Sequence, residues 1–473
     1  SCLVGSEMCI RDSNKTGVKF SKSAEITVRS PYLVGWLILS EKDGKSALSF
    51  IKMRTVKRDD IDAEGNPVER DSIIFYDVEK YFRPDLGTEP KGLMEHIGVE
   101  YDFGFSDAVY DEIVVMQGKD NWVELNGNTM EHEVYTKEEF GNDLPENFEP
   151  VEAAMTFSSK LIRDKNGFIY LHRKVLANDY HAGSYISVPL ANSTKFKGLY
   201  QAHKLYNRNY YVIPACTEDN SLVGIWDAGR YNEYSLDGTP SAITENSSRN
   251  DGNIVELTEN TDEKHFKQMS KNVIAMIPAT CGRDNRFDVT DSYIVPKWLA
   301  LMEEKGTYSM RYFGLEGDTS GGIVTVTDFK EVPVDARVFA AGYVDMAVFQ
   351  HKKYVVFASG KEIWYYPYGG STSNAVLLKK FDQNIVSISS HDVEEYTRDG
   401  DIYHNGHLGV ALENGDFFIY EVVEEDKVLD NITVNQLYPS PETEDKDNNN
   451  FGKIVDTLYK FGNASGVFTY TFQ

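Results

Sequence analysis

The chain has 473 residues, of which 41% are hydrophobic and 12% aromatic, including 29 Tyr and 25 Phe. That is enough apolar material for a large core and far from a disordered composition. With 74 acidic against 48 basic side chains the formal charge is -26, so the average surface repels phosphate backbones and anionic lipid, and nucleic acid is excluded as an expected partner.

Residues 1–13, SCLVGSEMCIRDS, read as a non-native segment resembling a translated sequencing adapter, and they are set aside from fold reasoning. Cys2 and Cys9 leave with them, so only Cys216 and Cys281 remain, expected as buried free thiols or as one disulfide. Residues 14–30, NKTGVKFSKSAEITVRS, alternate Val18, Phe20, Ile26 and Val28 with polar neighbours and predict one hairpin. Two strands alone are marginal in water, so this hairpin reads as the remnant of a truncated sandwich domain ending at Ser30-Pro31. The longest apolar run near the start, Tyr32 to Leu39, falls short of the ~18 residues that span a bilayer.

From residue 31 to 473 the chain repeats a loose unit: an apolar strand, a tight polar turn and a second strand carrying aromatics. WLILSEKDGKSALSFI, EIVVMQGKDNWVEL, KLIRDKNGFIYL, YVVFASGKEIWYYPY and GVALENGDFFIYEV are examples. Asp43-Gly44, Asn166-Gly167 and Asn414-Gly415 are the strongest hairpin turns. The units centre near residues 36, 113, 168, 211, 355 and 411, with further strand pairs at Val273 to Pro278 and Trp298 to Phe313. That spacing predicts an all-β fold, a β-propeller of about seven or eight blades. Ring closure would place Ile454 to Tyr459 or Val467 to Phe472 beside the Tyr32 to Ile51 hairpin. Short helices are expected only at Asp77 to Phe82 and Asp262 to Lys271, and exposed loops at Thr136 to Glu149, Glu245 to Asn253 and Glu442 to Asn450.

SPYLVGWLILSEKDGKSALSFI, VELNGNTMEHEVY, HLGVALENGDFFIYEV and FGKIVDTLYKFGNA together resemble the PKD-like family lipoproteins of Bacteroidota, a resemblance running from Asn14 to Ala464. It implies a lipid-anchored protein of the outer membrane or cell surface, with an N-terminal Ig/PKD-like module, here truncated, before the propeller. It also implies a TonB-dependent porin and its lid lipoprotein as partners in nutrient, above all glycan, uptake. The signal and lipobox of that family are absent from this sequence, so contact with a membrane is expected only through a lost lipid anchor.

No recognisable catalytic centre is assembled in the sequence. Ser40 to Ala47 approaches a sialidase Asp-box but misplaces its Asp, and reads as an Asp-Gly hairpin. Thr397 to His407 clusters Asp399, Asp401, His404 and His407 without EF-hand or zincin spacing, and reads as a polar loop; no metal and no cofactor are expected. The densest aromatic group is Trp364 to Tyr368, where alternation sends Trp364 and Tyr366 to one face and Tyr365 to the other. Tyr366, Tyr368 and Trp122 are the candidate ligand-binding residues, offering flat rings to a sugar, with blade packing as the competing reading. The expected function is a non-catalytic surface binding or accessory protein with a glycan or peptide ligand. The rivals are a propeller-based polysaccharide lyase or glycosidase, and a structural subunit of an outer-membrane porin complex.

Overall fold

The computed structural model describes residues 6–13, 19–26, 31–32, 34–61, 67–100, 108–118, 121–155, 159–173, 184–191, 194–201, 211–227, 252–280, 297–317, 322–349, 354–368, 374–398, 401–424, 432–440 and 448–460. It opens with β1 (Ser6–Ser13) antiparallel to β2 (Lys19–Ile26) in a separate two-stranded sheet. Within the expected hairpin of 14–30 only Lys19 to Ile26 is described, and it forms one continuous strand paired with β1. No turn residue interrupts Lys19 to Ile26, so it supplies one strand, and the strand that pairs with it comes from the first thirteen residues.

The remainder is all-β, built of several four-stranded antiparallel sheets in succession, the arrangement of a β-propeller. Blade 1 holds β3 (Gly35–Lys42), β4 (Lys45–Ile61) and β5 (Pro67–Arg83). Blade 2 holds β6 (Gly92–Glu100), β7 (Ala108–Met116), β8 (Val123–Asn126) and β9 (His132–Tyr135). Blade 3 has β10 (Pro150–Met155), β11 (Ser159–Asp164) and β12 (Ile169–Arg173). Blade 4 follows with β13 (Phe196–Leu199), β14 (Tyr211–Thr217), β15 (Leu222–Asp227) and β16 (Ile254–Thr258), and blade 5 with β17 (Asn272–Thr280), β18 (Lys297–Glu304), β19 (Thr307–Gly317) and β20 (Val324–Val334). Blade 6 comprises β21 (Tyr343–Phe349), β22 (Tyr354–Ser359), β23 (Glu362–Pro367) and β24 (Val376–Lys380). Blade 7 comprises β25 (Ile385–Arg398), β26 (Asp401–Leu412), β27 (Phe417–Glu424) and β28 (Ile432–Tyr438). The last described strand, β29 (Lys453–Lys460), returns to blade 1 and pairs with β3, Leu458 opposite Leu37 and Tyr459 opposite Trp36. Ile454 to Tyr459 is thus the closing strand; Val467 to Phe472 lies outside the described residues.

The first strand of each sheet lies against first strands of neighbouring sheets: β6 on β29, β29 on β25, β25 on β21, β21 on β17, and β10 on β13. These are the inner strands of the ring. The outer edges of blades 4 and 5 join through a parallel pairing, Leu257 with Val324 and Thr258 with Thr325, which covers two otherwise open edges.

The central strands of the blades are buried on both faces, so the period-2 alternation of a strand feeds two cores at once. From blade 6, Val355, Phe357 and Tyr366 pack toward Leu299, Leu301 and Met310 of blade 5, while Val356, Ala358 and Tyr365 pack toward Leu408, Val410 and Val422 of blade 7. The same alternation sends Trp36 and Ile38 to blade 7, and Leu37 and Leu39 to blade 2.

Asp43 and Gly44 both take positive φ, 53° and 76°, and close the β3–β4 hairpin; this is the turn that had approached the Asp-box. The helices expected at Asp77 to Phe82 and Asp262 to Lys271 are absent. The first belongs to β5, Val78 facing Ile51 on β4. The second is a run of bends along blade 4, where the Leu222 amide donates to the Phe266 carbonyl, the Met269 amide donates to the Asn220 carbonyl, and Phe266 is buried. Thr136 to Glu149 is more than an exposed loop: it begins as a 3-10 turn and buries Phe140 and Phe148 against Tyr170. Among the described residues no helix is long and apolar enough to cross a membrane.

Ending the chain after Asn450 removes β29, leaves β3 paired with β4 alone and takes Tyr459 from Trp36. It is expected to abolish the single cooperative melting transition followed by circular dichroism, and a wild-type melt from the shortened chain would contradict closure by β29. Removing residues 1–30 takes away only the β1–β2 sheet and should leave the midpoint within about 2 °C, as expected for a change far below 1 kcal/mol.

Candidate functional site

The inner strands share a local irregularity. A register shift, the mark of a β-bulge, separates Pro150 from Glu152 in β10, Phe196 from Gly198 in β13, and Val273 from Ala275 in β17. The same shift separates Tyr343 from Asp345 in β21, Ile385 from Ser387 in β25, and Ile454 from Asp456 in β29. In β6, Gly92 stands at the corresponding place. At four junctions the side chain just past this point accepts the amide of the following blade's inner strand. Leu199 N–H donates to Glu152 Oε2 at 2.8 Å, Ile388 N–H to Asp345 Oδ2 at 2.9 Å, Thr457 N–H to Ser387 Oγ at 3.1 Å and Leu93 N–H to Asp456 Oδ2 at 2.7 Å. Gly92 is small for a reason of space, since a Cβ there would stand 3.2 Å from Asp456 Oδ2 and 2.8 Å from the Met116 methyl carbon.

Three consecutive blades, 6, 7 and 1, link their polar residues into one network. Ser387 Oγ lies 3.0 Å from Asp456 Oδ1 and 3.4 Å from Asp345 Oδ2; Thr457 Oγ1 lies 3.1 Å from the hydroxyls of both Ser387 and Ser389. Asp345 Oδ1 accepts the Met346 amide, and Asp456 Oδ1 accepts that of Thr457. Burial pushes both carboxyls upward, Asp345 to about 7 with the charge of Asp456 adding to the effect, and Asp456 to about 6. This is the candidate site: two carboxyls of raised pKa and three hydroxyls on neighbouring inner strands. It offers proton exchange near neutral pH and hydrogen bonding to polar ligands.

A second polar cluster lies wholly between blades 2 and 3. Lys160 Nζ donates to Glu124 Oε2 at 2.6 Å and Glu139 Oε1 at 2.8 Å, with Glu112, His172 and Tyr185 buried around it. Burial alone would lower the lysine's pKa, but Glu124, Glu139 and Glu112 hold it above the ordinary value. The Tyr185 phenol is pushed well up, first by burial and then by the same three carboxylates. All of these groups are enclosed, so the cluster reads as a buried ionic tie between blades.

The aromatic candidates are not at a surface. Tyr366 is 1% exposed, Tyr368 7% and Trp122 2%. Tyr366 and Tyr368 belong to the core between blades 5 and 6, and the Tyr368 hydroxyl donates to the Ala279 carbonyl at 3.3 Å. Trp122 packs between blades 2 and 3, and its indole N–H donates to the Gln117 carbonyl. The expected stacking role does not fit these positions, because alternation along a strand with two buried faces sends every ring inward. Thr397 to Arg398 and Asp401 to His407 belong to the β25–β26 hairpin, with Arg398 opposite Asp401, and not to a loop. Among the described residues no group of three or more His, Cys, Asp or Glu side chains is placed to hold a metal ion. Cys216 is buried and unpaired, its thiol pushed up to about 11 by burial; Cys281 lies outside the described residues.

The residues of the candidate site carry a weak signal in the sequence. Val151-Glu152, Val344-Asp345, Val386-Ser387 and Val455-Asp456 each set a valine before a polar residue, Ile274-Ala275 and the twice-repeated Lys-Gly-Leu at 91–93 and 197–199 fill the remaining inner strands, and one such dipeptide opens each blade.

No protein-family profile and no curated protein matches the chain. Among solved structures it is similar to yeast RCC1 (Prp20) bound to Kap60, at 10% identity and a TM-score of 0.38 over 83% of this chain and 80% of that one. It is also similar to the WD40 domain of SCAP from fission yeast, at 8% identity and 0.34 over 73% and 76%. A third is Hsv2p of Kluyveromyces lactis, at 11% identity and 0.30 over 70% and 76%. Likeness at this level carries no argument about ligand or activity, and the propeller assignment rests on the chain's own sheet order.

Tyr366→Ala should lower stability by about 3–5 kcal/mol, as truncation of a core aromatic does. Lys160→Met, which leaves buried carboxylates without their cation, should also lose about 3–5 kcal/mol. Denaturant unfolding measures both, and a loss under about 1 kcal/mol for Tyr366→Ala would restore a surface role for that ring.

Proposed function

We propose that this chain is a seven-bladed propeller acting as a non-catalytic binding or accessory protein of a nutrient-uptake system, with a glycan or peptide as ligand. In this reading it is a PKD-like family lipoprotein of Bacteroidota, anchored by lipid at the outer membrane or cell surface in its full-length form. A TonB-dependent porin and lid lipoprotein are its partners, and β2 is what remains of the Ig/PKD-like module. One observation carries the non-catalytic part: the acids gathered on the inner strands are engaged with backbone amides of the next blade. A carboxylate that fixes a strand is poorly disposed to leave it for a substrate, so Glu152, Asp345 and Asp456 serve the rigidity of the ring. Recognition then falls to the connecting segments around the ring, and not to Tyr366, Tyr368 or Trp122.

One observation favours a second reading, a lyase or glycosidase: Asp345 and Asp456 are raised to about 7 and about 6, the range of a general acid or base. Incubation with a panel of bacterial, plant and host polysaccharides, with product analysis and affinity electrophoresis in parallel, separates the two. Retarded migration without product is the expected outcome. Oligosaccharide release that disappears in Asp345→Asn or Asp456→Asn would overturn it in favour of the enzyme.

A further inference from the structure

Ring closure rests on β29, and the junctions on either side of it are chemically unlike the others. Asp345, Ser387 and Asp456 occupy the same post-bulge position in three successive inner strands, so two acids flank one hydroxyl. The Ser387 hydroxyl has a single proton to donate. Around its oxygen stand Asp456 Oδ1 at 3.0 Å, Thr457 Oγ1 at 3.1 Å and Asp345 Oδ2 at 3.4 Å. With both carboxyls ionised that proton serves only one of them, and two like charges share a poorly hydrated corner. A proton added to either acid supplies the missing donor, bridging to Ser387 Oγ, which then donates to the other carboxylate.

We propose that the closing seam is proton-dependent: the Asp345–Ser387–Asp456 clasp grips the closing strand while the pair holds a proton and relaxes when both acids are ionised. Its partners extend the grip over four blades, because Asp456 also accepts the Leu93 amide of blade 2 and Asp345 that of Ile388 in blade 7. The inference is independent of any ligand.

Among the described residues, Asp456 is the charge that bears on Asp345, and the other titratable groups of the packed strands are few. β17 and β22, packed on β21, contain no ionisable acid or base other than Tyr354. Among the described side chains of β25 and β26 the ionisable groups are His391, stacked on Tyr459 at 4.0 Å, and His407, opposite Glu421 of β27; burial holds His407 down to about 4, so it is neutral throughout the relevant range. On β3 and β29, Glu41 pairs with Lys453 at the exposed end of the closing strand, Lys42 lies over the Tyr81 ring, and Lys460 is buried at the far end. On β6, Glu95 is buried two residues beyond Leu93. Among the described residues Asp456 is the one charge that acts on Asp345.

The direction follows from linkage. A carboxyl raised by folding holds its proton more tightly in the folded chain than in the unfolded one. Below about pH 4 both states are protonated and nothing is lost; stability then falls as pH rises, and the loss is complete above about pH 7.

Denaturant unfolding across this range for the wild type, Asp345→Asn, Asp456→Asn and Glu152→Gln tests the proposal. Relative to either Asn variant, the wild-type unfolding constant should rise with pH, by at most about 10-fold per unit for one proton. Glu152→Gln removes a carboxylate from the same kind of junction, where Arg163 is paired with it, and should run parallel to the wild type. Carboxyl carbon NMR of aspartate-labelled wild type needs no variant to fold, and should detect two coupled aspartate titrations between about pH 5 and pH 8. Aspartates that all titrate near pH 4, or wild-type and Asn curves that stay parallel across the range, would overturn the proposal.

Discussion

A hydrogen bond from an inner-strand amide to the side chain just past the preceding blade's β-bulge is the constraint on which the ring depends. The bulge bends the strand and turns an oxygen toward the neighbouring blade, where a backbone N–H would otherwise lack an acceptor. Glu152, Asp345, Ser387 and Asp456 each do this, with different side-chain lengths reaching the same kind of donor. The sheets therefore join at the axis by directional bonds and farther out by apolar packing. The axis fixes the register of each blade, and the packing supplies the bulk of the stabilisation.

Polar groups follow the same division. Lys160 with Glu124 and Glu139 ties blade 2 to blade 3, and Arg311 with Glu331 ties the segment around His265 to blade 5; burial would raise Glu331, but Lys271, Ser309 and Arg311 hold it down to about 2. These ties set which neighbour a sheet accepts, since a buried charge with the wrong partner is far more costly than a misplaced methyl group. Among the described residues no cation stands beside the Asp345–Asp456 pair, and burial raises both carboxyls toward neutral pH.

Most of the architecture was legible in the pattern of strands and turns. The repeat centres near 36, 113, 168, 211, 355 and 411, with Trp298 to Phe313, fall one to a blade, and Ile454 to Tyr459 is the closing strand. The polar spacing of Asp77 to Phe82 fits a helix, while pairing with β4 makes it a strand. Asp262 to Lys271 failed for a similar reason: a short amphipathic run has no helix of its own when Phe266 can be buried by a neighbouring blade.

The sequence by itself determined most of the strands and the tight turns such as Asp43-Gly44, because alternation and turn chemistry act over a few residues, and it left two candidates for the closing strand. Tertiary structure alone decided the fate of the aromatics and the acids. Tyr366, Tyr368 and Trp122 look the same in a sequence whether one or both faces of their sheet are covered, and only the neighbouring blades bury them. Asp345 and Asp456 are 111 positions apart in the chain, and no local rule brings them to one serine. Their meeting comes from the ring, which places equivalent positions of successive blades side by side.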